Sequence, residues 1–206
     1  MSSVSITLTD VTRRFNRKTI FSNINTVLDD AHSYAILGPN GSGKSTLIKV
    51  LAGILTPNAG KVTYNLNGVD VAVEDIAGSL AICAPYLELP EELNLQELYE
   101  FHVAQRQLGL SLPQLTAELL LDTTTEIRHY SSGMKQRVKL AQCIFSDTTI
   151  VLLDEPCTNL DTEGISVYQN LIKDYCTSRL VIVSSNDEVE TGFCSEQINM
   201  GDYKSK

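Results

Sequence analysis

The sequence predicts an α/β fold, in which helices cover a mostly parallel sheet and a helical segment is inserted in the middle of the chain. Three observations favour this fold. Short apolar runs, typical of buried parallel strands, end at Leu37, Leu153 and Val183. Helical spacing of apolar residues follows the first two of these runs. Between them, residues 90–121 have helical spacing throughout.

The first third of the chain predicts strands, one helix and one tight turn. Strand-like patterns cover residues 5–8, 19–28, 34–37 and 61–66. A helical pattern begins shortly after the third of these. The dipeptide Asn67-Gly68 predicts a hairpin turn after the fourth. This part of the chain is therefore predicted to form a β arm and the first strand–helix unit.

The remaining elements are predicted from the same periodicities. Helical spacing runs from Pro90 to about Leu121, with Pro113 as an internal break. Helices are then predicted for about 133–145 and 164–176, and strands for 150–153 and 180–183. We expect one domain over residues 1–206, with a core from 1–85 and 130–206 and a helical insert over about 86–129.

The composition argues against two classes of protein, those that bind nucleic acid and those that cross a membrane. The 206 residues carry a formal net charge of −9, which argues against nucleic-acid binding because that binding relies on Lys and Arg. No apolar run approaches the roughly 20 residues that cross a bilayer, and the first residues do not resemble a signal peptide. We therefore expect a soluble, intracellular chain without a nucleic-acid partner.

A glycine-rich loop predicts a phosphate site. It matches G-x-x-x-x-G-K-[ST] between a buried strand and a helix, as that pattern requires. Glycines let backbone N–H groups surround a phosphate, Lys44 reaches the β- and γ-oxygens, and Ser45 supplies a hydroxyl to Mg²⁺. The predicted phosphate-binding residues are Gly38, Pro39, Asn40, Gly41, Ser42, Gly43, Lys44, Ser45 and Thr46.

Two acids follow the apolar strand at residues 150–153. Acids at the carboxyl end of a buried strand point into the crevice where α/β sheets bind ligands. We expect Asp154 to hold Mg²⁺ through water and Glu155 to polarise the water that attacks the γ-phosphate. A solvated acidic turn is the simpler reading of such a pair, but the glycine-rich loop favours the catalytic one.

The segment from Tyr130 to Val138, together with the loop and the two acids, resembles the ATP-binding-cassette family of ATPases over essentially the whole chain. The resemblance implies a P-loop NTPase core with an antiparallel β subdomain and an inserted α-helical subdomain. It also implies that Ser131 and Gly133 reach the γ-phosphate of ATP held by a second copy. Asp161 matches the loop that communicates between the two sites, and Phe15 the aromatic ring that stacks on adenine.

Within the signature, Ser132 and Met134 replace the family's usual second glycine and glutamine, and two positions at the site of hydrolysis also depart from the family pattern. Tyr86 stands where the family has a glutamine that touches Mg²⁺ and the attacking water, and Asn186 stands where it has a histidine at the γ-phosphate. Asn186 can donate an amide hydrogen bond to the phosphate but cannot become cationic. We expect ATP binding to be kept and hydrolysis to be slower than in a member with both residues.

The resemblance implies the ATPase subunit of a transporter, at the inner face of the cell membrane. Its expected partners are a second nucleotide-binding subunit, identical to the first in a homodimer with ATP, and a membrane-spanning subunit. The form of the signature favours export. Leu87, Leu89, Leu93 and Leu95 are candidate contacts with that subunit, or alternatively belong to the insert's own core. Two alternatives stay open: a regulatory cassette with little or no hydrolysis, and a soluble cassette that remodels a macromolecular complex.

Overall fold

The structure is a computed structural model that describes residues 3–105 and 108–204. The chain divides into two compact units. The first contains the residues up to Ile82, Thr149–Asp154 and the residues from Ser178 onwards. The second contains Cys83–Thr148 and Glu155–Thr177, and thus extends beyond the helical insert expected at about 86–129.

The first unit contains an antiparallel sheet with strand order β2-β1-β4-β5. Its strands are β1 (Val4–Phe15), β2 (Lys18–Asp29), β4 (Ala59–Leu66) and β5 (Val69–Val71). The turn predicted at Asn67-Gly68 is confirmed, since both residues have positive φ angles, 54° and 82°, between β4 and β5. Strand β1 is longer than predicted because register shifts follow Leu8 and interrupt the alternation.

The same unit contains a parallel sheet with strand order β6-β7-β8-β3-β9. Its strands are β3 (Ser33–Leu37), β6 (Leu80–Cys83), β7 (Ile150–Asp154), β8 (Leu180–Ser184) and β9 (Glu196–Asn199). Every residue of β7 and β8 is buried, as expected for central strands covered on both faces. The α/β fold predicted from the apolar runs is confirmed.

Helix α1 (Lys44–Leu51) joins the two sheets into one core. Its apolar residues Leu47, Ile48 and Leu51 belong to the same buried cluster as residues of both sheets. Tyr64 of β4 is fully buried, and its hydroxyl donates a hydrogen bond to the Leu51 carbonyl oxygen at 3.1 Å. Burial raises the pKa of Tyr64 to about 12, so it stays a neutral donor. The core thus fixes the helix that begins at the glycine-rich loop.

The second unit is helical. It contains α2 (Leu95–Gln105), α3 (Leu112–Leu119), α4 (Ser132–Ile144) and α5 (Thr162–Tyr175). Helix α3 packs against α4 and α5, which also pack against each other. The helical stretch predicted from 90 to 121 forms two helices, and Ser111 begins the second with a capping box. A short helix in the first unit, α6 (Glu188–Thr191), follows β8. Within residues 3–105 and 108–204, no helix has the length and apolar character to cross a bilayer.

Candidate active site

A glycine-rich loop connects β3 to α1. Gly38 and Gly43 have φ angles of +148° and +107°, which residues with side chains rarely adopt. A Cβ atom on Gly38 would lie 2.7 Å from Ser42 Oγ, and one on Gly43 would lie 2.5 Å from Ile20 Cγ2. Both the backbone path and the close packing therefore require glycine at these two positions.

Lys44 is the first residue of α1 and is only 6% exposed. Its Nζ donates a hydrogen bond to the Gly38 carbonyl oxygen at 2.7 Å, so the ammonium lies at the start of the loop. Ser42 Oγ is buried and has no hydrogen-bond partner among the described residues. The amides at the start of α1 and this ammonium favour a bound anion. Of the other predicted loop residues, Pro39, Asn40 and Gly41 are exposed and Ser45 and Thr46 are half-buried.

Two buried side-chain oxygens lie at the carboxyl ends of β7 and β8. Asp154 is 1% exposed, and within the described part of the chain its Oδ1 has no hydrogen-bond partner. Ser184 is its register partner on β8, and its Oγ is likewise unpartnered there. A buried carboxylate oxygen is costly unless a donor or a cation meets it. The strand ends therefore fit Mg²⁺, which prefers oxygen ligands.

Glu155, the predicted catalytic base, has an unusual backbone. Its φ angle is +47°, in the left-handed region that costs a non-glycine residue on the order of 1 kcal/mol or more. The side chain is half-buried, and the chain passes from the first unit to the second between Asp154 and Glu155. Backbone strain of this kind is concentrated at functional sites, which agrees with the predicted role.

Asn186 lies beside the glycine-rich loop, as its predicted role requires. Its Oδ1 accepts a hydrogen bond from the Gly38 N–H at 2.9 Å. Its Nδ2 donates one to the Gly38 carbonyl oxygen at 2.7 Å. The sequence predicted a contact of this side chain with phosphate, whereas both ends of its amide bond the loop backbone.

Phe15, the candidate ring for adenine, is 46% exposed at the end of β1. The Arg13 guanidinium carbon lies 4.6 Å from the centre of the ring. Arg13 also donates a hydrogen bond to the Thr56 carbonyl oxygen at 2.9 Å. Arg13 thus packs against the ring and ties the end of β1 to the chain at Thr56.

In the second unit, the predicted signature residues begin α4. Ser131 caps the helix by accepting a hydrogen bond from the Met134 N–H at 3.2 Å. A Cβ atom on Gly133 would lie 2.9 Å from the Asn159 carbonyl oxygen, so the helix approaches this loop too closely for a side chain. Ser131, Gly133, Asn159 and Asp161 line a common open cavity of about 520 Å³.

Two further side chains of α4, which were not predicted as site residues, bond the loop that contains Asn159 and Asp161. Gln136 Nε2 donates a hydrogen bond to the Pro156 carbonyl oxygen at 2.7 Å. Arg137 donates to Asp161 Oδ1 at 3.1 Å and to Glu163 Oε2 at 3.0 Å. Their signal was the spacing from Gly133 of three and four residues, which places all three on one helix face.

Asp161 has a structural role in addition to the predicted one. It caps α5 by accepting a hydrogen bond from the Gly164 N–H at 2.8 Å. The Gly164 N–H and the Arg137 guanidinium hold the pKa of Asp161 below its usual range. Its carboxylate therefore stays charged at the end of the loop.

Tyr86 lies in the turn that follows β6 and is 40% exposed. Among the candidate contacts with a membrane partner, Leu89 and Leu95 are buried in the second unit and Leu87 and Leu93 are half-buried. The structure brings together two groups of predicted site residues, one in each unit. The first unit contains Gly38–Thr46, Asp154 and Asn186, of which Asn186 bonds Gly38. In the second unit, Ser131, Gly133 and Asp161 line one cavity.

Comparison with known proteins agrees with these features. A family model described as ABC transporter matches residues 21–158. The chain is 32% identical over 173 residues to a daunorubicin resistance ATP-binding protein of Streptomyces coeruleorubidus, covering 80% of this chain and 54% of that protein. It is 29% identical over 168 residues to a Nod factor export ATP-binding protein of Rhizobium, covering 78% of this chain and 55% of that protein. The chain thus spans about half the length of these two relatives.

Solved structures share the fold. A putative ABC transporter ATP-binding protein from Pyrococcus furiosus superposes with a TM-score of 0.83 at 21% identity, covering 98% of this chain and 100% of that one. The dimeric structure of a bacterial ABC transporter cassette gives a TM-score of 0.78 at 19% identity, with 95% of each chain covered. At these identities the likeness shows the fold alone.

Proposed function

The chain belongs to the ABC transporter family, and we propose that it binds and hydrolyses ATP as the nucleotide-binding subunit of a transporter. The observation that carries the proposal is the glycine-rich loop, where three glycines adopt positive φ angles and a buried lysine lies at the helix start. Gly38 to Thr46 would bind the phosphates, and Phe15 would stack on adenine. A P-loop kinase would leave the signature at Ser131 and Gly133 without a role.

The residues around the strand ends suit Mg²⁺-dependent cleavage of ATP. The Ser45 hydroxyl and the Asp154 carboxylate would hold Mg²⁺, which neutralises charge on the β- and γ-phosphates when bound. Glu155 accepts a proton from the attacking water, and Tyr86 contributes a hydroxyl to that water's surroundings. Asp154 Oδ1, which has no hydrogen-bond partner within the part of the chain that the structure describes, supports this assignment.

The proposal is tested by measuring ATP turnover of the purified chain. Glu155→Gln is expected to lower kcat by about 100-fold or more while ATP binding is kept, because only the proton acceptor is lost. Lys44→Ala is expected to weaken ATP binding itself. Glu74→Gln, at an exposed position, is the matched control. Turnover that survives Glu155→Gln would refute the base assignment, and failure to bind ATP would refute the function.

A second copy of the chain is the proposed partner at the signature. Ser131 and Gly133 would face the γ-phosphate bound by the other copy, and Asp161 would join the two sites. Two features of this chain support the arrangement: the open cavity that these residues line, and the similarity of fold to a cassette solved as a dimer. The assembly is expected to be head to tail, with ATP between the copies.

A membrane-spanning subunit is the second proposed partner, and export is the proposed direction. Relatives of this chain are named for Nod factor export and for lantibiotic transport. The chain would then lie at the inner face of the membrane. Purification from membranes with the partner identified by mass spectrometry tests this. Recovery without any membrane protein would favour the soluble, complex-remodelling alternative.

A regulatory cassette with slow hydrolysis is the other candidate, favoured by Tyr86 and Asn186. A tyrosine hydroxyl is a poorer neutral ligand for Mg²⁺ than an amide carbonyl. If Tyr86 limits hydrolysis, Tyr86→Gln should raise kcat with little change in ATP affinity. A kcat that does not rise would show that this position is not the limit.

A further inference from the structure

We propose that Asn186 is a positioning residue, which fixes the start of the glycine-rich loop by completing the β3–β8 ladder with its side chain. In this role it orients the loop backbone at Gly38, and thereby affects the binding of all the nucleotide's phosphates. It is not a direct ligand of the γ-phosphate. The inference rests on the proposed function, because it concerns how the loop binds a nucleotide.

The ladder between β3 and β8 ends one step before the loop. The strands are parallel, with Ile36 opposite Ser184. The Ser185 N–H donates to the Ile36 carbonyl oxygen at 3.2 Å. In a parallel ladder, alternate residues of one strand bond two residues of the other through N–H and C=O. The next residue to be bonded in this way would be Gly38, directly after β3.

The backbone after β8, which would form the next pair of ladder hydrogen bonds with Gly38, turns away from it. The Asp187 N–H donates instead to Ser185 Oγ at 2.9 Å. Asp187 is also the N-cap of α6, accepting a hydrogen bond from the Val189 N–H at 2.9 Å. The turn into α6 thus directs the chain away from Gly38.

The side-chain carboxamide of Asn186 forms the hydrogen bonds with Gly38 that the backbone after β8 does not form. It carries one acceptor and one donor group, like a peptide unit. Its Oδ1 receives the Gly38 N–H at 2.9 Å, and its Nδ2 donates to the Gly38 carbonyl oxygen at 2.7 Å. A ligand of the γ-phosphate would need only the donor. The bond to the Gly38 N–H is therefore explained by positioning and not by phosphate contact.

Fixing Gly38 matters because the loop changes direction there. Gly38 has a φ angle of +148°, and its carbonyl oxygen also receives Lys44 Nζ at 2.7 Å. The Lys44 ammonium is a donor to phosphate as well. When it turns towards phosphate, Asn186 still holds both polar groups of Gly38. The loop amides then keep the orientation that phosphate binding needs, at no further ordering cost.

The test compares ADP with ATP, since only ATP has a γ-phosphate. Asn186→Ala is expected to weaken the binding of both nucleotides by the same factor, about tenfold, measured by titration calorimetry. Asn65→Ala is the matched control. Asn65 also accepts a glycine N–H, from Gly68 at 2.9 Å, and donates to Asp70 at 2.8 Å, but it lies in the antiparallel sheet. Asn65→Ala should therefore change neither the affinity for ADP nor that for ATP.

Hydrogen exchange gives a second measurement without nucleotide. The Gly38 amide should exchange faster in Asn186→Ala than in the wild-type protein. If Asn186→Ala does not fold, Asn186→Gln replaces it; this keeps both amide groups but displaces them by one methylene, and should weaken ADP and ATP equally.

Three results would overturn the inference: a loss of ATP affinity with ADP unchanged, no change for either nucleotide, or unchanged exchange at Gly38. A wild-type chain that binds neither nucleotide would overturn the proposed function instead.

Discussion

Gly41 and Gly43 lie two residues apart in the same loop and differ in what a methyl group would meet. Both have positive φ angles, +76° and +107°. A Cβ atom on Gly41 would have no neighbour within 4 Å, whereas one on Gly43 would lie 2.5 Å from Ile20 Cγ2. The pair therefore separates the cost of an unfavourable backbone angle from the cost of a collision.

We expect Gly43→Ala to destabilise the protein more than Gly41→Ala. Each substitution costs about 1 to 2 kcal/mol for the backbone angle. Gly43→Ala adds about 1 to 3 kcal/mol because the methyl group overpacks against Ile20. Urea unfolding measures both changes in the free energy of unfolding.

In the Ile20→Ala background the colliding atom is absent, so Gly43→Ala should cost less there than it does in the wild-type protein. Equal losses for Gly41→Ala and Gly43→Ala in the wild type, or the same loss from Gly43→Ala in both backgrounds, would show that the contact with Ile20 does not limit this position.

The residue types of the site were predictable, but several of their contacts were not. The glycine, lysine and serine positions of the loop follow from a local pattern. The contact of Gly43 with Ile20 joins residues of different elements and depends on how β2 packs near α1. The stacking of Arg13 on Phe15 likewise depends on how residues of β1 turn at its end. Such contacts arise from packing, which periodicity does not describe.

At the scale of elements, one face of α4 holds the loop before α5. Gly133 approaches the Asn159 carbonyl, Gln136 bonds Pro156, and Arg137 bonds Asp161. Because these residues share a helix face, we expect α4 and the 156–161 loop to behave as one element. Lys135, on another face, pairs with Glu91 at the surface and offers a comparison.

We expect Arg137→Ala to destabilise the protein more than Lys135→Ala. The Arg137 side chain is 8% exposed and also donates to the Leu119 carbonyl oxygen, and removal of such a buried donor costs about 1 to 3 kcal/mol. The Lys135–Glu91 pair is more exposed and should contribute less than about 1 kcal/mol. Thermal unfolding of the two variants measures the difference.

The dependence of folding stability on pH in the acid range gives a second measurement. The pKa of Asp161 is lowered in the folded protein, so its contribution to stability is present above the ordinary value of 3.8 and is lost as the pH falls through the lowered value. The loss caused by Arg137→Ala should therefore shrink below that pH. A difference between the variants that is independent of pH would show that Asp161 is not Arg137's partner in solution.

Long elements with a clear period were predicted well, and short or interrupted ones were not. The helix expected at 133–145 is confirmed as α4, and the strand at 150–153 as β7. Strand β9 was missed because four residues with one buried member show no period. Strand β1 was predicted too short because its register shifts hide the alternation beyond Leu8.

At the scale of the whole molecule, the predicted site residues fall into two compact units of the chain. If the active site is shared between two copies, one copy supplies the loop and the other supplies the signature. Variants that are inactive for different reasons should then complement each other.

We expect a mixture of Lys44→Ala and Ser131→Arg chains to recover ATP turnover. Each variant alone lacks one half of every site, but a mixed pair combines the intact loop of one chain with the intact signature of the other. Random pairing gives up to roughly a quarter of the wild-type rate, since half of the pairs are mixed and each has one complete site. Turnover is measured in an equimolar mixture.

The control for this mixture pairs Lys44→Ala with the double variant Lys44→Ala Ser131→Arg, which can form no complete site. This control should remain inactive. If the first mixture is also inactive, although both variants fold, the site is not shared in the proposed way.

The overall α/β class was predictable because buried parallel strands are almost entirely apolar. The grouping of α4 and α5 with the helices of the second unit was not, because it reflects which surfaces pack together. The compact second unit is therefore larger than the helical insert predicted at about 86–129, because it also contains α4 and α5. The bounds of the insert stay a prediction.

Among residues 3–105 and 108–204, the buried side-chain oxygens of Ser42, Asp154 and Ser184 have no hydrogen-bond partner, so a bound ligand could supply one. Each buried oxygen without a donor or cation lowers the stability of the folded chain. A ligand that meets them stabilises the folded state, by about 2.7 kcal/mol when its concentration is 100 times its dissociation constant. A nucleotide bound as proposed would thus aid folding in the cell and raise the share of the chain that escapes proteolysis.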